Sequence, residues 1–145
     1  REKRKGDALM ENRMYVNAIR VYQKLLEKDS REISREMRER ILHNQGCAYS
    51  YLFQMDKALD CFFAAWKVNQ SEKALKIYLL AYRSVHTPEE FEKIQEDLKA
   101  EDSVKKETAR ALEQFISLPE QKIGPGETDR ILEDLTREYH RSTGS

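Results

Sequence analysis

The side chains best suited to nucleophilic or metal chemistry here are His43, His86 and His140, with Cys47 and Cys61. His43 and Cys47 stand four residues apart, which puts imidazole and thiol on one face of a helix. Such a pair is the start of an activated nucleophile or half of a metal site. The remaining histidines and the second thiol are distant in sequence, so nothing completes a ligand set or supplies an orienting third group. Gly124-Pro125-Gly126 is glycine-rich, but no Lys-Ser/Thr pair follows it. Its proline also removes one of the backbone N–H groups a phosphate cradle needs. Adjacent carboxylates such as Glu89 and Glu90 are the ordinary dress of a solvated helix face. No constellation of nucleophile, base and orienter emerges, so an enzyme is not expected, and neither is a cofactor or a metal.

Composition narrows the partners. The 26 basic residues are balanced by 26 acidic ones, so no net charge draws the chain to a phosphate backbone and no nucleic-acid partner is expected. The basic run Arg1, Lys3, Arg4 and Lys5 is broken by Glu2 and soon meets Asp7 and Glu11, which reads as a solvated helix end. No stretch approaches the ~18 apolar residues of a membrane span, so this segment is expected to make no membrane contact. The chain begins at Arg1 rather than Met, which is read as a trimmed piece of something longer. Two cysteines within apolar helical segments are read as small, buried or half-buried thiols in a reducing compartment, which suits a cytoplasmic protein or domain.

The elements that must position these side chains are helices. At 145 residues the chain suits one domain, and 5 Gly with 3 Pro are too few for a turn-rich β fold. Sliding the sequence by 40 residues lays Gly6-Asp7-Ala8-Leu9 over Gly46-Cys47-Ala48-Tyr49. In the same register Ala18 falls on Ala58, Ile19 on Leu59 and Tyr22 on Phe62. Each copy reads as two helices: from the N-terminus to about Asn12 and from Met14 to Lys28, then a longer helix ending near Phe53 and one from Met55 to Val68. Asp29 or Ser30 is the expected cap of that long helix. Leu42, Gly46, Tyr49 and Phe53 share its hairpin-facing side. Two helices in a tight hairpin need a small residue where their axes come closest, and Gly6 with Ala18, then Gly46 with Ala58, supply it. Two glycines at equivalent helical places, each costing about 1 kcal/mol against alanine, demand a packing reason.

This pattern resembles the tetratricopeptide repeat family. Gly46, Tyr49, Ala58, Phe62 and Ala65 match the family's small–aromatic–Ala–aromatic signature, and Leu42 matches the large residue before the glycine. Gly6, Leu9, Ala18 and Tyr22 match in the first copy. Gln45 replaces the usual Leu, and Gln70 stands where Pro is common. The 40-residue offset exceeds the family's ~34, the excess falling between Asp29 and Glu39 as a lengthened helix or an inter-repeat loop. A degenerate third copy follows: an apolar helix from Ala74 to Val85, then Thr87-Pro88 starting a helix with Phe91, Ile94 and Leu98 on one side.

The resemblance implies an all-α, right-handed solenoid of antiparallel helix hairpins with C-terminal capping helices. Residues 1–99 hold the repeats, 100–118 a capping helix, 119–126 a linker around Ile123 to Gly126, and 127–145 a last helix and tail. It implies a protein or peptide partner received in a concave groove lined by the first helices, with a structural spacer or homo-oligomerising module as the alternative. By register the groove takes Lys3, Asp7, Met10 and Glu11 from the first copy. From the second it takes Arg40, His43, Asn44, Cys47, Ser50 and Tyr51. Some family members grip acidic C-terminal tails with lysines and asparagines. Lys3 and Asn44 match two of those positions, but Asp7 replaces the first Asn and Lys76 alone represents the third repeat. Strong binding of such tails is therefore not expected.

Overall fold

The computed structural model describes residues 2–29 and 31–100; the sequence expectations for 100–118, 119–126 and 127–145 lie outside the described side chains. Every regular element among the described residues is a helix: α1 (Glu2–Glu11), α2 (Tyr15–Leu26), α3 (Arg35–Tyr51), α4 (Met55–Asn69), α5 (Glu72–Val85) and α6 (Pro88–Ala100). The chain divides into two compact units, Arg1–Asn69 and Gln70–Ser145, with the boundary inside the stretch read as repeats from sequence. Gln70 marks the break with a left-handed φ of 50°, and Ser71 then caps α5 by accepting from the Ala74 N–H at 3.2 Å.

In the first unit, α1 packs on α2, α2 on α3 and α3 on α4. The sequence repeat returns here as a repeat of geometry. In the first turn the Asn12, Arg13 and Met14 N–H groups donate to the carbonyls of Ala8, Met10 and Leu9. In the second, Leu52, Phe53 and Gln54 donate to Ala48, Ser50 and Tyr49, each partner 40 residues on. Arg13 and Phe53, the equivalent residues, share the same left-handed φ of 59°. The two hairpins are therefore copies of one supersecondary unit, not unrelated pairs.

Gly6 and Gly46 each lie beneath an aromatic ring. A Cβ at Gly6 would fall 2.5 Å from Cε1 of Tyr22, and one at Gly46 would fall 2.7 Å from Cε1 of Phe62. The close approach is thus glycine to ring, more than glycine to alanine. Ala18, Tyr22, Leu25 and Ile41 form a buried cluster over which Leu9, Met10, Val21, Leu26 and Met37 close. α4 buries Ala58, Leu59, Phe62, Ala65 and Trp66.

Two local expectations are corrected. The long helix starts at Arg35, not near Asp29, and its cap is Ser34, whose Oγ accepts from the Met37 N–H at 3.1 Å. Asp29 instead accepts from the Arg31 N–H two residues on, a turn geometry that competes with helix. Arg38 then reaches back to the carbonyls of Leu26 and Lys28 at 3.1 and 3.0 Å, ending α2 and holding the connection. The extra length of the first repeat is accordingly a connecting segment followed by a long helix. The second correction is Phe53. It does not join Leu42, Gly46 and Tyr49 inside the hairpin but sits past the end of α3, 82% exposed.

In the second unit, α5 buries Ala74, Leu75, Ile77, Tyr78, Leu79 and Ala81. Thr87 begins α6 as expected: its Oγ1 accepts from the Glu90 N–H while its own N–H donates to the Glu90 carboxylate, a reciprocal capping box. At the preceding helix end the His86 ring stacks on Tyr82 with centroids 3.8 Å apart.

Candidate functional site

The ten residues assigned to a groove from sequence do not behave alike. Lys3, Asp7 and Asn44 converge on one point. Asp7 accepts from the Tyr22 hydroxyl at 2.5 Å, from Lys3 Nζ at 2.7 Å and from Asn44 Nδ2 at 3.2 Å. α1 supplies the carboxylate and the ammonium one turn apart, α2 the phenol and α3 the amide. Asp7 therefore bonds three elements of the first unit. Burial raises the Tyr22 hydroxyl well above its ordinary value, and the hydrogen bond and charge of Asp7 push it further, against an opposing contribution from Asn44. Helical spacing alone makes Tyr22 a core residue. Its ring is core, but its hydroxyl is the centre of a polar junction, and periodicity does not separate the two ends of a tyrosine.

His43, Asn44, Cys47 and Ser50 are buried, with His43 at 2% and Cys47 at 6% exposure, so their expected place on an accessible groove wall is corrected. α3 is the middle helix of the unit and is covered around most of its circumference, including Ile41, Gln45 and Ala48. The Cys47 thiol lies 3.5 Å from Nε2 of His43, and the His43 ring leans on Phe62 with centroids 5.7 Å apart. The Ser50 hydroxyl turns back to the Cys47 carbonyl at 2.7 Å, a local bond within the helix. Imidazole and thiol are neighbours as the spacing required, but both lie beneath the surface. Among the described residues no group of three or more His, Cys, Asp or Glu is gathered as a metal site would need.

The accessible members are Glu11, exposed, and Lys3, Asp7, Met10, Arg40 and Tyr51, half-buried. Tyr51 stacks on Tyr15 with centroids 4.8 Å apart and planes 10° from parallel, joining the turn ends of the two hairpins. Tyr15 is the partner that sequence analysis did not assign. Its place at the start of α2, 36 residues before Tyr51, carries no local signal.

Gln45, the departure from the repeat signature, proves to be a strap. Its amide donates to Oε1 of Gln23 at 3.2 Å, and its carbonyl oxygen faces the Cys61 thiol at 3.6 Å. Burial pushes the Cys61 thiol up from 9.0 to about 12, with the charges of Asp60 and Cys47 adding to the effect. That thiol is a poor nucleophile at neutral pH.

Comparison with known proteins gives no relative: no family model, no curated protein and no solved structure matches the chain. Among the described residues, no helix is long and apolar enough to cross a membrane.

Proposed function

We propose that this chain is a helical repeat module of the tetratricopeptide kind that receives a segment of another protein and performs no chemistry itself. The observation that carries the reading is the repetition of one hairpin at a 40-residue offset, down to turn hydrogen bonds, left-handed turn residue and glycine under an aromatic ring. A chain that builds the same hairpin twice presents the same kind of first-helix surface twice, and stacked repeats use such surfaces for binding. On this reading the hairpins continue as a right-handed solenoid and the module works in the cytoplasm.

The contact surface is narrower than the sequence alone suggests. Its accessible members are Lys3, Asp7, Met10 and Glu11 on α1, with Arg40 and Tyr51 on α3. Lys3 and Asn44 already donate to Asp7, so an acidic tail finds these donors occupied and meets a carboxylate of its own sign. The partner is therefore a segment of mixed polar and apolar character rather than an acidic tail. The buried His43–Cys47 pair serves packing, because a nucleophile must reach its substrate.

The test is capture of a protein from lysate by the immobilised chain, followed by identification and by Glu11→Lys and Arg40→Glu. Both should reduce capture of the identified protein, with circular dichroism showing each variant folded. Capture unaffected by either change would place binding elsewhere and defeat the assignment.

A further inference from the structure

The two hairpins are copies in backbone but opposite in charge along one face of their second helices. On α2, Val16, Arg20 and Lys24 are exposed at successive four-residue steps, along one face. Forty residues on, α4 carries Asp56 and Asp60 at the places of Val16 and Arg20, both exposed, and Ala64 at that of Lys24. None of Arg20, Lys24, Asp56 and Asp60 takes part in an ion pair among the described residues. The two lysines of α4 are turned to rings of their own hairpin: Lys57 Nζ lies 5.7 Å from the Tyr49 centroid and Lys67 Nζ 5.2 Å from that of Phe63. Held there, they leave the aspartates uncovered.

From this inversion we infer that the α2 face of one copy docks against the α4 face of a second copy. Antiparallel helices in register place Arg20 opposite Asp60, and the four-residue step then places Lys24 opposite Asp56 and Val16 opposite Ala64. Two rungs are charge-complementary. The third sets an apolar side chain, 51% exposed in the single chain, against a small one. Nothing of like sign meets in these three rungs, whereas α2 against α2 would oppose Arg20 to Lys24, and α4 against α4 would oppose Asp56 to Asp60. Solvent-exposed ion pairs are individually weak and screened by salt, so the association is loose, concentration-dependent and lost at high ionic strength. This surface is separate from the α1 and α3 residues assigned to the protein partner, so either assignment can fail without the other.

Sedimentation equilibrium of the full chain over a concentration series tests it. At low salt the mean mass should rise above that of the 17.2 kDa chain with concentration, and in molar salt it should return to it. Arg20→Glu with Lys24→Glu should weaken association at least about tenfold, and so should Asp56→Lys with Asp60→Lys. All four changes in one chain restore every rung and should restore the association, provided circular dichroism shows each variant folded like the parent. The inference is overturned by a monomer at every concentration in low salt. It is equally overturned by association that ignores one of the two pairs, or by a fourfold variant that stays monomeric while folded.

Discussion

Replacing Gly46 with alanine should destabilise the protein even though alanine is the better helix former. At a free helical position the change would gain about 1 kcal/mol. Here the new methyl would lie 2.7 and 2.8 Å from Cε1 and Cδ1 of Phe62 and 3.2 Å from Cβ of Cys61. Carbon atoms rest at roughly 3.5–4.0 Å, so the ring must retreat by about 1 Å and α4 by a few tenths. Phe62 has little room to move: it is 1% exposed and its ring also meets that of His43. The Cys61 contact is to a Cβ, which shifts only with the helix backbone. Overpacking of this kind costs about 1–3 kcal/mol, and the two contacts below 3.0 Å put it in the upper part of that range, so it outweighs the propensity gain and leaves a net loss of about 1–2 kcal/mol. Urea unfolding followed by helical circular dichroism should show a midpoint lower by a few tenths to about 1 M with an unchanged slope. Phe62→Leu in the same chain provides the missing space, so the double variant should be more stable than the sum of the single losses by about 0.5 kcal/mol or more. A Gly46→Ala midpoint equal to or above the parent's would refute the argument, because it would mean that α3 and α4 do not approach as described.

Three further outcomes follow from the same geometry. Stability should fall as pH rises through about 9 and beyond. The Cys61 thiol keeps its proton in the folded chain up to about 12, and the unfolded chain releases its own near 9.0, so the unfolded state binds fewer protons and gains with pH. The slope is about 1.4 kcal/mol per pH unit for this group, Tyr22 adds to it from about pH 10, and Cys61→Ala should flatten the first part of a melting-temperature profile. Arg38→Ala should cost about 1–2 kcal/mol in thermal or chemical unfolding by freeing the carbonyls of Leu26 and Lys28, and Arg38→Lys should recover only part, since an ammonium lacks the two-pronged fork. An acidic-tailed chaperone peptide should show no micromolar affinity by calorimetry. Tight binding that Lys3→Ala abolishes would contradict the account of Asp7 as the internal partner of those donors.

The parts of the fold legible in the sequence were those where one residue type alone fits. Gly6 and Gly46 could be read as close contacts because any side chain there collides with the ring of Tyr22 or Phe62. Thr87-Pro88-Glu89-Glu90 could be read as a helix start because the capping residues are adjacent in sequence. What could not be read depended on distant partners. Asp29 and Ser34 are both good caps in isolation, and the reach of Arg38 back to α2 favours the later start. Phe53 looked like a core residue by spacing, but helix α3 ends two residues earlier and the turn throws the ring outward. The candidate site suffered most. Helical spacing sorts α3 into two faces, yet a central helix buries both, so His43, Asn44, Cys47 and Ser50 were placed on a surface they do not reach. The junction ties Asp7 to a residue 37 positions away, a separation with no local signature.

Site-specific photo-crosslinking decides whether the first helices of the repeats receive a protein partner. A benzophenone amino acid is introduced singly at Glu11, at Arg40 and, as a control, at exposed Arg31 in the connection between the hairpins. After irradiation in lysate, one discrete crosslinked protein should be common to positions 11 and 40 and absent at 31. Equal labelling from all three positions, or none from 11 and 40 with a product at 31, would contradict it.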